Sequence, residues 1–425
     1  MLDLFPESAR IEEGQLVLGG VPASRLAEEH GTPVVVYCDE TLRTQARAYR
    51  EAAPDALVCF GTKAFPNVAV LRLFAEEGLG ADVSTLGELR FALEAGVDGE
   101  RLVVHGNNKS DEELRAAAEA GAALVVLDAL DEIERAAAAR VERVLVRVTS
   151  GIEADTHESI RTGWHGSKFG LPPQDALEAV RRALAAGLDV QGLHVHVGSQ
   201  LLDATAAGMT VDWLAAFAAS CRAELGWEPR VIDVGGGLGV RLLVLHVADE
   251  EAPTVAAYVG GLRERVARGF ELHGLRTPRL VLEPGRSLVG RAGITLYRVG
   301  AVKRASETVR YVAVDGGMSD NPRPQLYGAR YTALLANRAD EPADEPYAIA
   351  GLHCEEEVLV RRVLLPAAPR RGDLLAVPAT GAYTLAMGSN YNVVPRPAAV
   401  LVGEGAARVI RRRETLDDLL ALESP

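Results

Sequence analysis

Lys63 lies in the segment Phe60-Gly61-Thr62-Lys63-Ala64-Phe65-Pro66-Asn67, directly after the apolar run Leu57-Val58-Cys59-Phe60. It therefore stands where a buried strand gives way to a loop. The chain carries four lysines against 41 arginines, so positions that need only positive charge have mostly been filled by arginine. A lysine kept at a strand end suggests chemistry that a guanidinium cannot perform. An amine loses its proton and forms a Schiff base with a carbonyl, whereas arginine stays charged. The plainer reading is a solvated strand-end lysine, and the neighbouring motifs decide between the two.

Uncommon residues recur at strand ends along the chain. Asp82 and Ser84 close one apolar run, His105-Gly106-Asn107-Asn108-Lys109 follow the next, and Arg147 ends a third. His194 and His196 alternate over 192–197, which puts both on one face of a strand, and Gly198-Ser199 follow. Asp233 precedes Gly235-Gly236-Gly237-Leu238-Gly239, and Glu283 opens Glu283-Pro284-Gly285-Arg286. The glycine run suits a phosphate grip, because backbone N–H groups approach an anion closely where no side chain obstructs them. By itself it reads equally well as a turn. A dinucleotide fold is disfavoured, since the spacing is not G-x-G-x-x-G. Gly285 and Arg286 can add donors and a cation from the adjacent strand.

A Schiff-base lysine, a phosphate grip, a strand-end histidine and a buried-looking carboxylate together suggest pyridoxal 5′-phosphate. Lys63 would hold the cofactor, His196 would stack on its ring, and Glu283 would pair with the ring nitrogen so that the ring accepts electrons from a carbanion. Each residue alone has a structural alternative: Glu283 before Pro-Gly can cap a turn, and a strand histidine is often a satisfied core residue.

The elements that must position these groups follow from periodicity. Strands are expected at 57–61, 80–83, 102–105, 123–127, 143–148, 192–197, 231–234 and 279–283, with helices such as 66–77, 85–95, 111–120 and 204–225 between them. Thr85 with Glu88, and Ser110 with Asp111, give helix starts. Eight strands alternating with helices make an α/β chain with a (β/α)8 TIM-type barrel, whose catalytic groups sit at the carboxyl ends of the strands; an open doubly wound sheet is the alternative. The run 34–38 falls outside the count of eight. After Arg286 come strand-like runs at 293–304, 309–315, 347–351, 357–365, 373–378 and 398–402 without intervening helices. They indicate a second, mostly antiparallel β-sandwich or barrel domain. A helix over 415–422 is expected near the end. The expected division is a barrel over 34–286, with 1–33 and 287–425 forming the β domain.

Bulk properties narrow the function. A net charge of −14 argues against nucleic acid or an anionic membrane as partner. No run approaches the ~18 apolar residues of a membrane helix, and the first residues carry no signal-peptide core. The four cysteines, Cys38, Cys59, Cys221 and Cys354, have neither metal nor disulfide spacing. A cytoplasmic protein with reduced thiols and no metal site is expected.

FGTKAFPN, GADVSTLGEL, HGNNKS, THESIRTG with SKFG, GLHVHVGSQ, DVGGGLG and EPGR occur in the order found in one family. Over about residues 30–402 the chain resembles the group III, alanine-racemase-like fold pyridoxal-phosphate decarboxylases, and within them the diaminopimelate decarboxylases. The resemblance implies cofactor contacts from Lys63, Asp82, His196, Ser199, Gly235, Gly236, Gly237, Glu283, Gly285, Arg286 and Tyr383. NPRPQLYGARY resembles the family's substrate segment, implying that Arg323 and Tyr327 meet the distal end of the substrate. Meso-2,6-diaminopimelate carries a second carboxylate and ammonium, so a selective site needs a cation, from Arg286 and Arg323, and an anion, from Glu355; Tyr383 is implied on the substrate side as well. Cys354 is implied as the proton donor after CO2 leaves, in a homodimer whose subunits share their active sites. The implied reaction gives L-lysine, the last step of lysine biosynthesis. Decarboxylation of ornithine, arginine, carboxynorspermidine or a specialised diaminopimelate-like metabolite is the alternative, ahead of a non-catalytic cofactor-binding relative. One departure touches the site: where the family has C-E-S-G-D, this chain has Cys354-Glu355-Glu356-Glu357-Val358, one residue shorter, with Glu357 standing in for the aspartate.

Overall fold

The computed structural model describes residues 2–152, 166–196, 198–201, 203–241 and 253–424. The chain divides into two compact units, one of residues 45–239 and 251–286, the other of 1–44, 240–250 and 287–425. The motif THESIRTG lies outside the described residues.

The first unit is a closed barrel of eight parallel strands. In chain order these are β1 (Leu57–Gly61), β2 (Gly80–Val83), β3 (Leu102–Val104), β4 (Leu124–Leu127), β5 (Arg143–Arg147), β6 (Asp189–His194), β7 (Val231–Asp233) and β8 (Arg279–Leu282). Ring closure is by β8 against β1, with Val281 opposite Leu57. These strands read as continuous apolar runs because they are covered on both faces. Leu57, Cys59, Val103, Leu124, Val126, Leu145 and Val281 meet in one core cluster. The connecting helices start on side-chain caps. Asn67 accepts from the N–H groups of Ala69 and Val70 to open Val68–Glu76, and Ser110 with Glu113 forms a capping box for Asp111–Glu119. Thr85 caps Leu86–Glu94, but Glu88 reaches back to the N–H of Ser84 at 2.6 Å, so the expected capping box is displaced by one residue.

Five strands, β3, β5, β6, β7 and β8, end one to three residues before the expected positions, and in two of them this moves a histidine. β3 stops at Val104 and β6 at His194, so His105 and His196 leave the ladder. His194 and His196 therefore do not share a strand face. In each case the backbone bond passes to the neighbouring strand end: the N–H of His105 donates to Val83 at 2.8 Å and that of Val195 to Asp233 at 2.9 Å.

In the second unit Val34–Cys38 lies within a mixed sheet, antiparallel to Gly293–Arg304 and parallel to Ala398–Gly403. Its period of two divides its residues between faces: Val34, Val36 and Cys38 join a core with Leu16, Leu18, Leu26, Ile294 and Val400. A second core gathers Tyr297, Val312, Tyr347, Leu359 and Leu375. Most of the remaining strands are antiparallel. Elements without a range expected from the sequence include the strands Gln15–Leu18 and Ala406–Arg411 and the helices Ala23–His30 and Asp39–Ala52. The late helix is Leu416–Leu420, and Leu416 and Leu420 on it are exposed.

Candidate active site

The carboxyl ends of the barrel strands bring together ionisable groups that are buried almost without exception. Lys63 sits in a 3-10 turn, Thr62–Ala64, that begins as β1 ends. Its Nζ lies 3.5 Å from Oδ2 of Asp82 on β2, and its side chain is 52% exposed where that of Asp82 is 2% exposed. The turn is tied to the far strand by the N–H of Gly61, which donates to the carbonyl of Pro284 at 3.0 Å. His105 hydrogen-bonds to Oε1 of Glu283 through Nε2 and stands 3.7 Å from Oδ1 of Asp82. His194, the last residue of β6, lies 3.6 Å from Oε2 of Glu283. Asp233, the last of β7, accepts from the N–H of Gly235 at 2.8 Å.

These contacts set the charges. Burial pushes His194 down to about 3, so its imidazole is neutral at pH 7. His196 is likewise driven well down by burial, and then by the cations Lys63 and Arg147. Burial drives the Glu283 carboxyl up, but His105 and His194 together outweigh it and hold Glu283 well below the usual carboxylate range. Asp233 is raised well above that range by burial and by the Glu283 charge. Burial also raises Asp82, against the pull of Lys63. One carboxylate of the group, Glu283, thus stays firmly anionic beside a carboxyl, Asp233, that favours its protonated form. His105, His194, Asp233 and Glu283 offer donor atoms all within 4.8 Å of one another, and the His105–Glu283 hydrogen bond already occupies two of these donors.

The glycine run can be tested as a cradle. A Cβ on Gly236 would come 2.2 Å from the carbonyl oxygen of Glu283, and one on Gly235 would come 2.3 Å from Nδ1 of His196. Gly235 also has φ of +68°, which favours glycine. The N–H of Gly236 donates to His196 Nδ1 at 3.4 Å, and Arg286 donates to Oγ of Ser199 at 3.2 Å. Buried oxygens of Asp82 and Asp233 have no hydrogen-bond partner among the described residues. A half-exposed primary amine, a side-chain-free backbone turn beside an arginine, and a firmly anionic carboxylate fit pyridoxal phosphate: an aldehyde, a phosphate and a basic ring nitrogen find matching groups.

The second unit holds the other expected residues. Arg323 begins the short helix Arg323–Tyr327 and is 4% exposed. Its Nε donates to the Tyr331 hydroxyl at 3.1 Å and its guanidinium stands 5.4 Å from the Tyr327 ring centre. It makes no ion pair with a carboxylate among the described residues, so a buried cation is left for an anion to meet. The Tyr327 hydroxyl reaches Met387 Sδ at 3.9 Å. Cys354 is exposed, in contrast to Cys38, Cys59 and Cys221. Glu355 is exposed and accepts a hydrogen bond from Tyr391. Tyr383 adopts φ of +59°, a conformation uncommon for a residue with a Cβ.

Sequence reasoning gave no role to Tyr391, His353 or the Glu283-binding face of His105. Only the motif HGNNKS pointed toward the last. Lys109 in that motif is structural: it is 2% exposed, pairs with Glu132 at 2.9 Å and donates to the carbonyls of Gly106 and Val126.

The family described as "Pyridoxal-dependent decarboxylase, pyridoxal binding domain" matches residues 39–290. The chain is 46% identical to a diaminopimelate decarboxylase of Actinosynnema pretiosum subsp. auranticum, over 99% of this chain and 95% of that one. It is 42% identical to the diaminopimelate decarboxylase of Mycobacterium tuberculosis H37Rv, over 98% and 96%. Among solved structures, diaminopimelate decarboxylase from M. jannaschii in complex with L-lysine superposes with a TM-score of 0.90 at 31% identity, covering 99% of this chain and 98% of that one. The chain belongs to the diaminopimelate decarboxylases of the pyridoxal-dependent decarboxylase family.

Proposed function

We propose that this enzyme removes CO2 from meso-2,6-diaminopimelate to give L-lysine, using pyridoxal phosphate held by Lys63. The observation that carries the reading is the half-exposed Lys63 amine beside buried Asp82, in the same barrel mouth as a Glu283 that its histidines keep anionic. When bound, the cofactor supplies an electrophilic carbon for amines and a conjugated ring that takes up the electron pair left behind by a departing carboxylate. Glu283 would hold a proton at the ring nitrogen, because its own carboxyl is too acidic to keep one. The neutral His196 would flank the ring without adding charge. The turn Gly235-Gly236-Gly237, where a Cβ would intrude, would make room for the phosphate, and Gly285, Arg286, Ser199 and Tyr383 would complete its site.

At the other end of the substrate, Arg323 with Tyr327 meets the distal carboxylate and Glu355 the distal ammonium, and Arg286 and Tyr383 are assigned to substrate binding as well. Breaking the bond between Cα and the carboxylate leaves an electron pair on carbon. The Cys354 thiol returns a proton to it and regains one from water. Cys354 and Glu355 act in the site of the partner subunit, so the active form is a homodimer. No described helix is long and apolar enough to cross a membrane, and we place the enzyme in the cytoplasm.

The visible spectrum tests the cofactor assignment. Wild type reconstituted with pyridoxal phosphate should be yellow, and Lys63→Ala should lack that band after the same treatment and dialysis. A colourless wild type, or a Lys63→Ala protein with the same band, overturns it.

A further inference from the structure

The segment Cys354-Glu355-Glu356-Glu357 resembles the family motif C-E-S-G-D, which implies a loop one residue shorter here, and it ends on a buried acid. Glu357 is 5% exposed, and its carboxylate is spread between two backbone segments. Oε2 accepts from the N–H of Met318 at 2.5 Å, and Oε1 accepts from the N–H of His353 at 3.0 Å. Met318 belongs to the turn 316–322 that leads directly into the helix bearing Arg323. His353 precedes Cys354 and Glu355. One side chain therefore ties the segment of the buried cation to the segment of the thiol and the anion.

The surroundings are shaped to that carboxylate. A Cβ on Gly351 would fall 2.0 Å from Oε1, and one on Gly317 would fall 2.3 Å from it, so both segments carry glycine where the carboxylate lies. The same two segments also meet through the N–H of Leu352, which donates to the carbonyl of Gly316 at 3.0 Å, and through the N–H of Ser319, which donates to Nε2 of His353 at 3.3 Å. Bonds from backbone N–H groups to an anion are stronger than neutral ones, and losing the acceptor strands buried donors.

We propose that Glu357 is a positioning residue: it holds the Cys354-Glu355 turn against the segment that carries Arg323, and its extra methylene compensates for the residue missing from the loop. A side chain one carbon shorter cannot reach both N–H groups from the same backbone position. In a loop one residue longer, an aspartate can. Glu357 touches no reacting atom; it acts through the groups it fixes.

The activity arm of the test rests on the decarboxylase reading, whereas the thiol arm does not. Cys354 is exposed and the other three cysteines are buried, so the fast phase of labelling by a thiol reagent reports the Cys354 turn. Four variants of the full-length, cofactor-loaded enzyme are compared with wild type: Glu357→Asp, Glu357→Gln, Gly351→Ala, and a replacement of Glu356-Glu357 by Ser-Gly-Asp. The first three are expected to change the Cys354 labelling rate at least fivefold and to lower kcat/KM for meso-diaminopimelate about tenfold, as expected for one lost charge-assisted bond. Much of that loss should appear in KM, because the segment of Arg323 and the Cys354-Glu355 turn, which serves the partner's site, both lose their anchor. The Ser-Gly-Asp replacement should return both quantities to within threefold of wild type. Rescue by a shorter acid in a longer loop is a result that loss of fold stability alone does not give. If Glu357→Gln does not fold, the replacement decides: wild-type labelling supports the span, and a fivefold change overturns it. Glu357→Asp indistinguishable from wild type in both readouts also overturns it. A wild type inactive on meso-diaminopimelate whose labelling follows the expected pattern sinks the decarboxylase reading and leaves this inference standing.

Discussion

Lys109 offers a quantitative test of how the barrel supports the site. Its ammonium is buried, with Gly106 O and Val126 O each at 2.7 Å and Oε1 of Glu132 at 2.9 Å. The Glu132 contact is an ion pair without hydrogen-bond geometry, so the two carbonyls take the directed bonds and the carboxylate balances the charge. Burial lowers the Lys109 pKa, and Glu132 opposes that shift. Lys109→Met fills similar space but leaves two carbonyls and a buried carboxylate without their cation. Breaking a buried pair by removing one partner costs roughly 3–5 kcal/mol. Lys109→Arg should not rescue, because a planar fork cannot aim at three groups arranged around a point charge. Glu132 also accepts from the N–H of Asp128 at 2.6 Å, so Glu132→Gln keeps an acceptor there while removing the charge. The double variant Lys109→Met with Glu132→Gln is therefore expected to recover about half of the loss, roughly 1.5–2.5 kcal/mol. Urea denaturation of the three proteins and wild type, under identical cofactor loading, gives the cycle. A single-variant loss below about 1 kcal/mol, or a double variant no more stable than the single, refutes the argument.

Further outcomes follow from the same physics. His194 has a folded-state pKa of about 3, below its unfolded value of about 6.5, so its contribution to stability is present above pH 6.5 and is lost as pH falls toward 3. Between pH 6.5 and 4.5 wild type should lose about 2 kcal/mol more than His194→Gln; parallel stability curves in urea contradict this. Gly236→Ala forces a Cβ to 2.2 Å from the Glu283 carbonyl. It should weaken cofactor retention at least tenfold in a dialysis titration, and retention equal to wild type rules the cradle out. Arg323→Met should cut kcat/KM for meso-diaminopimelate about 10- to 100-fold, the worth of one buried charge-assisted contact. An unchanged value removes Arg323 from substrate recognition.

The barrel was legible because its strands are short apolar runs bounded by glycine and charge, and helices with caps such as Ser110 and Thr85 separate them. Strand ends were less legible. His105 and His196 follow apolar residues, so periodicity extends the strands through them, whereas β3 ends one residue before His105 and β6 two before His196. The N-terminal strands were hidden because Gln15–Leu18 is four residues long and finds its apolar partners, Ile294 and Val400, some 280 or more positions away. Among the chemistry-bearing residues, Lys63 and Glu283 announced themselves by type and by strand-end position. Lys109 did so equally, yet it proved to be buried with Glu132. A lysine after a strand is the same signal whether its amine faces solvent or a carboxylate, and only the tertiary neighbours separate the two. The role of Glu357 was invisible for a related reason: its partners are backbone N–H groups, which every sequence supplies.

The most direct measurement is product formation by purified, cofactor-loaded enzyme given meso-diaminopimelate, L-ornithine or L-arginine in parallel. The account predicts CO2 and L-lysine in equal amounts from meso-diaminopimelate, with no CO2 from the other two. CO2 from ornithine or arginine alone would contradict it.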